Sequence, residues 1–277
     1  TDDSQRLLGV LSFRDLFAIP PVTLVRNIMN TDLICTNENE DQESLSRLFS
    51  DHNLTAIPVV DAEGRIKGIV TLNDIVDVVK EEATEDIQKF GGMEALDAPY
   101  LDTGFFSMIK KRAGWLSALF IGESLTATAM GHFEQEIAQA VVLALFVPLI
   151  ISSGGNSGSQ ASTLVVRAMA LGEVRLRDWF RVLQREFASG LTLGMVLTAI
   201  GVLRILIWQY FFHTYGEHYL LIAMAVGISL IGVVLFGTMA GSLLPFVFRR
   251  FGFDPASASA PFVATLVDVT GLVIYFT

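Results

Sequence analysis

The sequence predicts a small charged α/β module, a connecting helix, and then an α-helical polytopic membrane domain of five helices. Two observations carry this. The first is a break in composition. Residues 1–112 hold 20 of the 29 acids and 11 of the 19 bases, a net charge of −9, whereas residues 113–277 hold 9 acids and 8 bases, a net charge of −1. The whole chain is 52% hydrophobic and 17% charged, well under the roughly 25% charged residues of an average soluble domain. The second is a run of five apolar stretches after residue 112. Each approaches the roughly 20 residues that a bilayer crossing needs. A buried soluble core has no need of so many runs of this length.

The α/β module is read from an internal repeat. Residues 7–19, LLGVLSFRDLFAI, are matched by residues 66–79, IKGIVTLNDIVDVV: Gly9 with Gly68, Ser12 with Thr71 and Asp15 with Asp74, each at an offset of 59 residues. Ser12 and Thr71 each precede an Asp by three, close to a capping box at a helix start. Leu7 to Val10 reads as a strand already in progress. The chain opens on Thr1 without a signal-peptide pattern, so residues 1–20 are expected to be the end of a first, truncated unit. Residues 21–80 then form a complete second one. In it Glu43 to Asp51 has the spacing of an amphipathic helix. Thr55 to Val60 reads as a strand, Asp61 to Gly64 as a turn, and a second strand and helix follow. Cys35 is the lone cysteine, which rules out an intrachain disulfide framework and agrees with a reducing compartment.

Residues 81–112 read as an acidic connecting helix and linker, helical until Gly91-Gly92. Asp77, Glu81, Glu82, Glu85 and Asp86 recur at spacings of three to four and share a face. Such a face is either ordinarily solvated or responsive to cations, because like charges at i,i+4 repel until something neutralises them.

The membrane domain, residues 113–277, follows Lys110-Lys111-Arg112. Its spans are read at about 113–131, 137–153 with a continuation to roughly 169, 187–212, 219–248 and 256–276. Arg167, Arg175, Arg177, Arg181, Arg185, Arg249 and Arg250 fall in connections on the same side as Lys110 to Arg112, while the 131–136 and 213–218 connections hold no Lys or Arg. By the positive-inside rule the N-terminal module is cytoplasmic and Thr277 lies outside. Trp115, Trp179, Trp208, Tyr210 and Tyr215 fall near the boundaries, as interfacial aromatics do.

Asp268 stands near the middle of the last span. A carboxylate there is costly against lipid, so it faces the bundle interior or a water-filled path. Pro261 and Thr265 lie near the same helix face, with Pro261 expected to free a backbone carbonyl. In the second span, PLIISSGGNSGSQ (148–160) offers hydroxyls and amides, with Asn156 and Gln160 one turn apart. Gly154, Gly155 and Gly158 either break the helix or let another backbone approach closely. Glu123 in the first span serves the path or inter-helix packing. Arg204 in the third either snorkels outward or pairs with an acid, Glu123 being a candidate. Carboxylate with amide, hydroxyl and carbonyl oxygen suits a hard cation, and magnesium, which keeps its waters, suits a site with few carboxylates. One cysteine and no intramembrane histidine argue against a soft-metal carrier. Phosphate-binding loops, Ser-His-Asp arrangements and nucleic-acid patches are not found, so no enzyme is expected.

The repeat, the DVVKEEATEDIQKFGG stretch, PLIISSGGNSGSQASTLVVRAMALGEV and PFVATLVDVTGLVIYF together resemble the MgtE family of magnesium channels or transporters, over the whole chain and without the family's N-terminal part. The repeat resembles two cystathionine-β-synthase (CBS) modules, the first truncated, and the acidic stretch resembles the family's connecting or plug helix. The resemblance implies a homodimer in the plasma (inner) membrane with the pore on its two-fold axis. It implies Asp268 of both subunits holding hydrated Mg²⁺, with Asn156, the three glycines, Pro261 and Thr265 along the pore. It also implies closure by cytosolic Mg²⁺ bound among acids such as Asp77, Glu81, Glu82, Glu85 and Asp86, and ATP at the CBS pair. A CBS-regulated proton-coupled carrier and a membrane-anchored ion or nucleotide sensor are the alternatives.

Overall fold

A computed structural model of the chain describes residues 1–20, 22–139 and 141–277, with the side chains of Asp15 and Gln139 outside the description. It divides into two units, Thr1–Thr84 and Glu85–Thr277.

The first unit contains α1 (Phe13–Ala18), β1 (Thr36–Asn37), α2 (Gln42–His52), β2 (Ala56–Val60), β3 (Ile66–Thr71) and most of α3 (Leu72–Phe90). The strands lie in the order β1-β2-β3. β1 runs parallel to β2, and β2 pairs antiparallel with β3 from Ala56 opposite Thr71 to Val60 opposite Ile66. The β2–β3 connection is the expected turn. Gly64 adopts φ +78°, a region open to glycine at no steric cost. Asp61 accepts the backbone N–H of Arg65 at 2.8 Å and of Glu63 at 3.1 Å. The bond from Arg65 does most to hold the Asp61 carboxyl below the usual carboxylate range. α2 starts on Asp41, which accepts the Ser44 N–H at 3.1 Å, and ends on Asn53 in the left-handed region, φ 51°. Its apolar stripe, Leu45 and Phe49, packs with Ile57 of β2 and Ile75 of α3 into a small core. One expectation fails. Leu7 to Val10 do not form a strand; Arg6 bridges Arg65 and Val10 bridges Asn30 as isolated pairs. Two different partners, four residues apart, leave no continuous neighbour along which a ladder extends.

The second unit contains α4 (Phe105–His132), α5 (Glu134–Gln139), α6 (Val141–Ala144), α7 (Val147–Ala170), α8 (Trp179–Phe212), α9 (Tyr219–Arg250) and α10 (Ala260–Phe276). Five of these, α4 and α7 to α10, lie where the five spans are expected. Among the described residues Val141–Ala170, Leu176–Phe212 and Tyr219–Arg250 are long and apolar enough to cross a bilayer, and Ala260–Phe276 is a shorter apolar helix. α4 is less apolar because Lys110 to Arg112 occupy its early turns and Glu123 its middle. The second span is shifted from its expected start. The chain turns at Leu145-Phe146 and α7 begins at Val147, with Pro148 in its first turn, where a missing N–H costs nothing. The glycine-rich stretch therefore lies inside one unbroken helix.

α9 is the centre of the bundle. Val226, Leu230, Val233 and Val234 are almost wholly buried there, with Ile150, Ile205, Val263, Val267 and Leu272 from its neighbours. Lipid tails are as apolar as these side chains, so close fit rather than water exclusion holds such helices together. Gly154 and Gly158 of α7 meet Gly237 and Gly241 of α9. A methyl group on either α9 glycine would run into the carbonyl oxygen of Gly154 or Gly158. Beside this crossing Ser157 and Thr238 hydroxyls bond at 2.8 Å, fully buried. Thr238 also donates to Val234 O at 2.7 Å, which makes Ser157 the donor between the helices. α4 lies along α10, with Trp115 Nε1 donating to Ser259 Oγ at 3.3 Å and its ring 6.3 Å from that of Phe262.

Candidate ion site in the membrane unit

Asp268 is the ninth of the 17 residues of α10 and is half-buried. The same helix buries Val263, Val267, Gly271 and Leu272 against α7 and α9, which turns Asp268 toward α4. There the Glu123 carboxyl comes within hydrogen-bonding reach of it. One turn earlier Thr265 points the same way, its methyl close to Gly122. The two intramembrane acids, predicted separately, thus face each other across α4 and α10. Among the described residues neither has a lysine, arginine or histidine partner. Two carboxylates so placed repel when both are charged, and a cation between them converts repulsion into coordination. Each acid alone is costly in a membrane, but that cost names no partner in the sequence.

Arg204 is not the partner of Glu123. Its guanidinium stands 5.7 Å from the ring centre of Phe146 and 5.3 Å from that of Trp208, a cation–π setting. Pro261 lies in the first turn of α10, so it removes no intrahelical bond and frees no carbonyl; this corrects the expected effect of that proline.

On α7, Ser152, Asn156, Gln160 and Thr163 are exposed along one side while Gly154, Gly155, Ser157 and Gly158 are buried on the other. Asn156 donates to Ser152 Oγ at 3.4 Å. Gly155 faces Ala264 of α10, and Gly154 and Gly158 are wedged against Val267 and Val263. The close-approach reading of the glycines therefore holds, and the helix-break reading does not. Below them Ser162 donates to Ala258 O at 2.8 Å and Ser159 to Ala260 O at 3.3 Å, fixing the start of α10 on α7.

The acids of α3 are arranged differently. Lys89 pairs with both Glu85 and Asp254, the latter at 2.7 Å. Burial works against the Lys89 charge, but the two carboxylates outweigh it and hold the ammonium well above the usual lysine range. Asp254 also caps the turn before α10 by accepting the Ala256 N–H at 2.9 Å. Sequence reasoning missed Lys89 and Asp254. The signal for Asp254 was an Asp directly before Pro255, a common helix-start pair. Glu82 accepts from Gln42 Nε2 at 2.8 Å, Asp77 is 3.5 Å from Lys80, Glu81 is exposed and Asp86 half-buried. Among the described residues no three His, Cys, Asp or Glu side chains converge on one point.

A family model for the MgtE divalent cation transporter matches residues 147–277, and a CBS domain model matches residues 25–81. The magnesium transporter MgtE of Thermus thermophilus is 41% identical over 274 residues, 99% of this chain and 59% of the relative. This chain carries a CBS domain followed by an MgtE transporter domain. The MgtE magnesium transporter of Enterococcus faecalis is 33% identical over 276 residues, 99% of this chain and 58% of its own length. The chain thus spans a little under three-fifths of these MgtE relatives. A solved cytosolic domain of the Mg²⁺ channel MgtE in complex with ATP is 47% identical over 28% of this chain and 32% of that one, with a TM-score of 0.28.

Proposed function

We propose that this chain forms the pore-bearing part of a Mg²⁺-selective channel or transporter. The observation that supports it is the acid pair at mid-length of α10, Asp268 facing Glu123. In this reading Asp268 holds the ion through its waters, as suits a cation that dehydrates reluctantly. Thr265 and Pro261 follow along the same helix, and Asn156 presents its amide from the polar side of α7. The buried glycines 154, 155 and 158 serve by packing, since they bring α7 tightly onto α9 and α10. A single copy leaves the Ser152–Asn156–Gln160 side exposed, and polar faces at membrane depth require protein or water against them. Two copies around an axis would supply both. Mg²⁺ is cargo here, and the chain performs no covalent chemistry in this reading.

The reading extends to control. Cytosolic Mg²⁺ bridging Asp77, Glu81, Glu82, Glu85 and Asp86 stabilises a closed state by linkage, because an ion that binds one conformer better shifts the population toward it. ATP at the CBS module belongs to the same reading and rests on the family resemblance, while a cytoplasmic N-terminal module and an outer Thr277 rest on the Lys and Arg asymmetry of the connections.

Proteoliposome flux tests it. Mg²⁺ should move down its own gradient without a proton gradient, and Asp268→Ala should abolish selective movement. Flux that consumes a proton gradient indicates the carrier alternative, and unchanged flux and selectivity in Asp268→Ala removes the site. For control, joint neutralisation of Glu81, Glu82, Glu85 and Asp86 should weaken closure as cytoplasmic Mg²⁺ rises; an unaltered dose response in patches rejects that part.

A further inference from the structure

Away from the acid pair, the connection from α7 to α8 forms a half-open cavity of about 430 Å³. Its wall carries Arg175, Arg177, Arg181 and Arg185 against two acids, Glu173 and Asp178. Asp178 is engaged locally. It accepts the Arg175 backbone N–H at 3.0 Å and lies 3.9 Å from Arg181. Arg181 pairs with Asp178 and Arg185 interacts with Glu186, but four arginines against two acids in the wall still leave the cavity a positive surplus. Arginine, planar and permanently charged, suits phosphate oxygens in particular. The volume is in the range of ligand sites and well above that of a single ion.

The position of the cavity indicates the kind of phosphate. It sits where a membrane helix begins, since Leu176–Phe212 is long and apolar enough to cross. Leu176, Trp179 and Phe180, which alternate in the chain with the residues of its wall, stand 43%, 49% and 53% exposed, apolar surface of the kind found where aromatic belts meet headgroups. Basic pockets at such a level attract anionic headgroups.

We propose that this cavity binds the phosphate of an anionic membrane lipid, whose chains lie along Leu176, Trp179 and Phe180. The site is independent of the ion path and stands whether or not that reading holds. Native mass spectrometry of the full chain, released from detergent with added phosphatidylglycerol, phosphatidylcholine or inorganic phosphate, tests it. Phosphatidylglycerol should be retained in preference to phosphatidylcholine and should resist displacement by excess inorganic phosphate. Removing a surface arginine weakens such binding about fivefold. Arg177→Gln and Arg181→Gln should each show that loss, Arg177→Lys a smaller one, and rising salt should weaken the wild type. Equal retention of the two lipids, equal retention by wild type and both Gln variants, or full displacement by inorganic phosphate would each overturn the proposal. The salt response and the lipid preference of the wild type decide it even where a variant misfolds.

Discussion

The second unit holds two pairs of acids in opposite conditions. At the end of α3, Glu85 and Asp254 share Lys89, a cation the chain itself supplies. Between α4 and α10, Glu123 and Asp268 face each other with no basic side chain paired to either among the described residues. The first arrangement is complete as a protein contact. The second becomes favourable only when something positive comes from outside. A fixed ammonium cannot leave, so it makes a structural tie; a pair of acids without one is suited to an ion that arrives and departs.

The largest effect expected from breaking this contrast is in the membrane. Glu123→Lys gives Asp268 its own ammonium, and Mg²⁺ flux in proteoliposomes should fall by about tenfold or more, the scale on which loss of supporting groups weakens metal sites. Flux that survives would mean Asp268 does not act with the residue facing it. A smaller effect is expected from the converse change. Lys89→Met leaves Glu85 and Asp254 as an acid pair, so the chain around Gly91-Gly92 should exchange its amides faster, and Mg²⁺ should restore protection that it does not add to the wild type. Equal Mg²⁺ dependence in both proteins would show that Lys89 does not compete with the ion. The smallest effect belongs to an acid with no cationic role. Asp74 accepts from the Thr71 hydroxyl at 2.7 Å and the Thr71 N–H at 2.8 Å, and these bonds hold its carboxyl below the usual range. A depressed folded-state value means the contribution is present above the unfolded value of about 3.9 and is lost as pH falls through the lower folded value. Asp74→Ala should therefore lose amide protection at Thr71 at neutral pH, with the difference from wild type closing as pH drops below about 4.

The legible part of the molecule was that governed by short-range rules. The Thr71–Asp74 cap, the Asp61–Gly64 turn, α2 and the end of α3 at Gly91 all follow from neighbours in sequence, and all are seen. The family resemblance could also be read from the sequence, through motifs that sit together on α7 and α10. Relations between helices were not legible. Glu123 and Asp268 are 145 positions apart in the chain, and their meeting depends on the rotation of α4 about α10, which Trp115 and Ser259 set. Lys89 and Asp254 are equally remote. The Leu7–Val10 strand misled because an apolar run says nothing of its pairing partners, which here are not contiguous. Pro261 misled because a proline's effect depends on which turn of the helix it occupies.

The glycine crossing of α7 and α9 has a mechanical consequence. Where carbonyl oxygens of one helix rest directly on the glycines of another, there is no side chain to change rotamer and no slack to take up. Those two helices behave as the stator of the unit. Any widening of a path beside α7 must then come from the parts joined through larger and softer contacts, the indole of Trp115 and the ring of Phe262, so α4 is the element with freedom to swing.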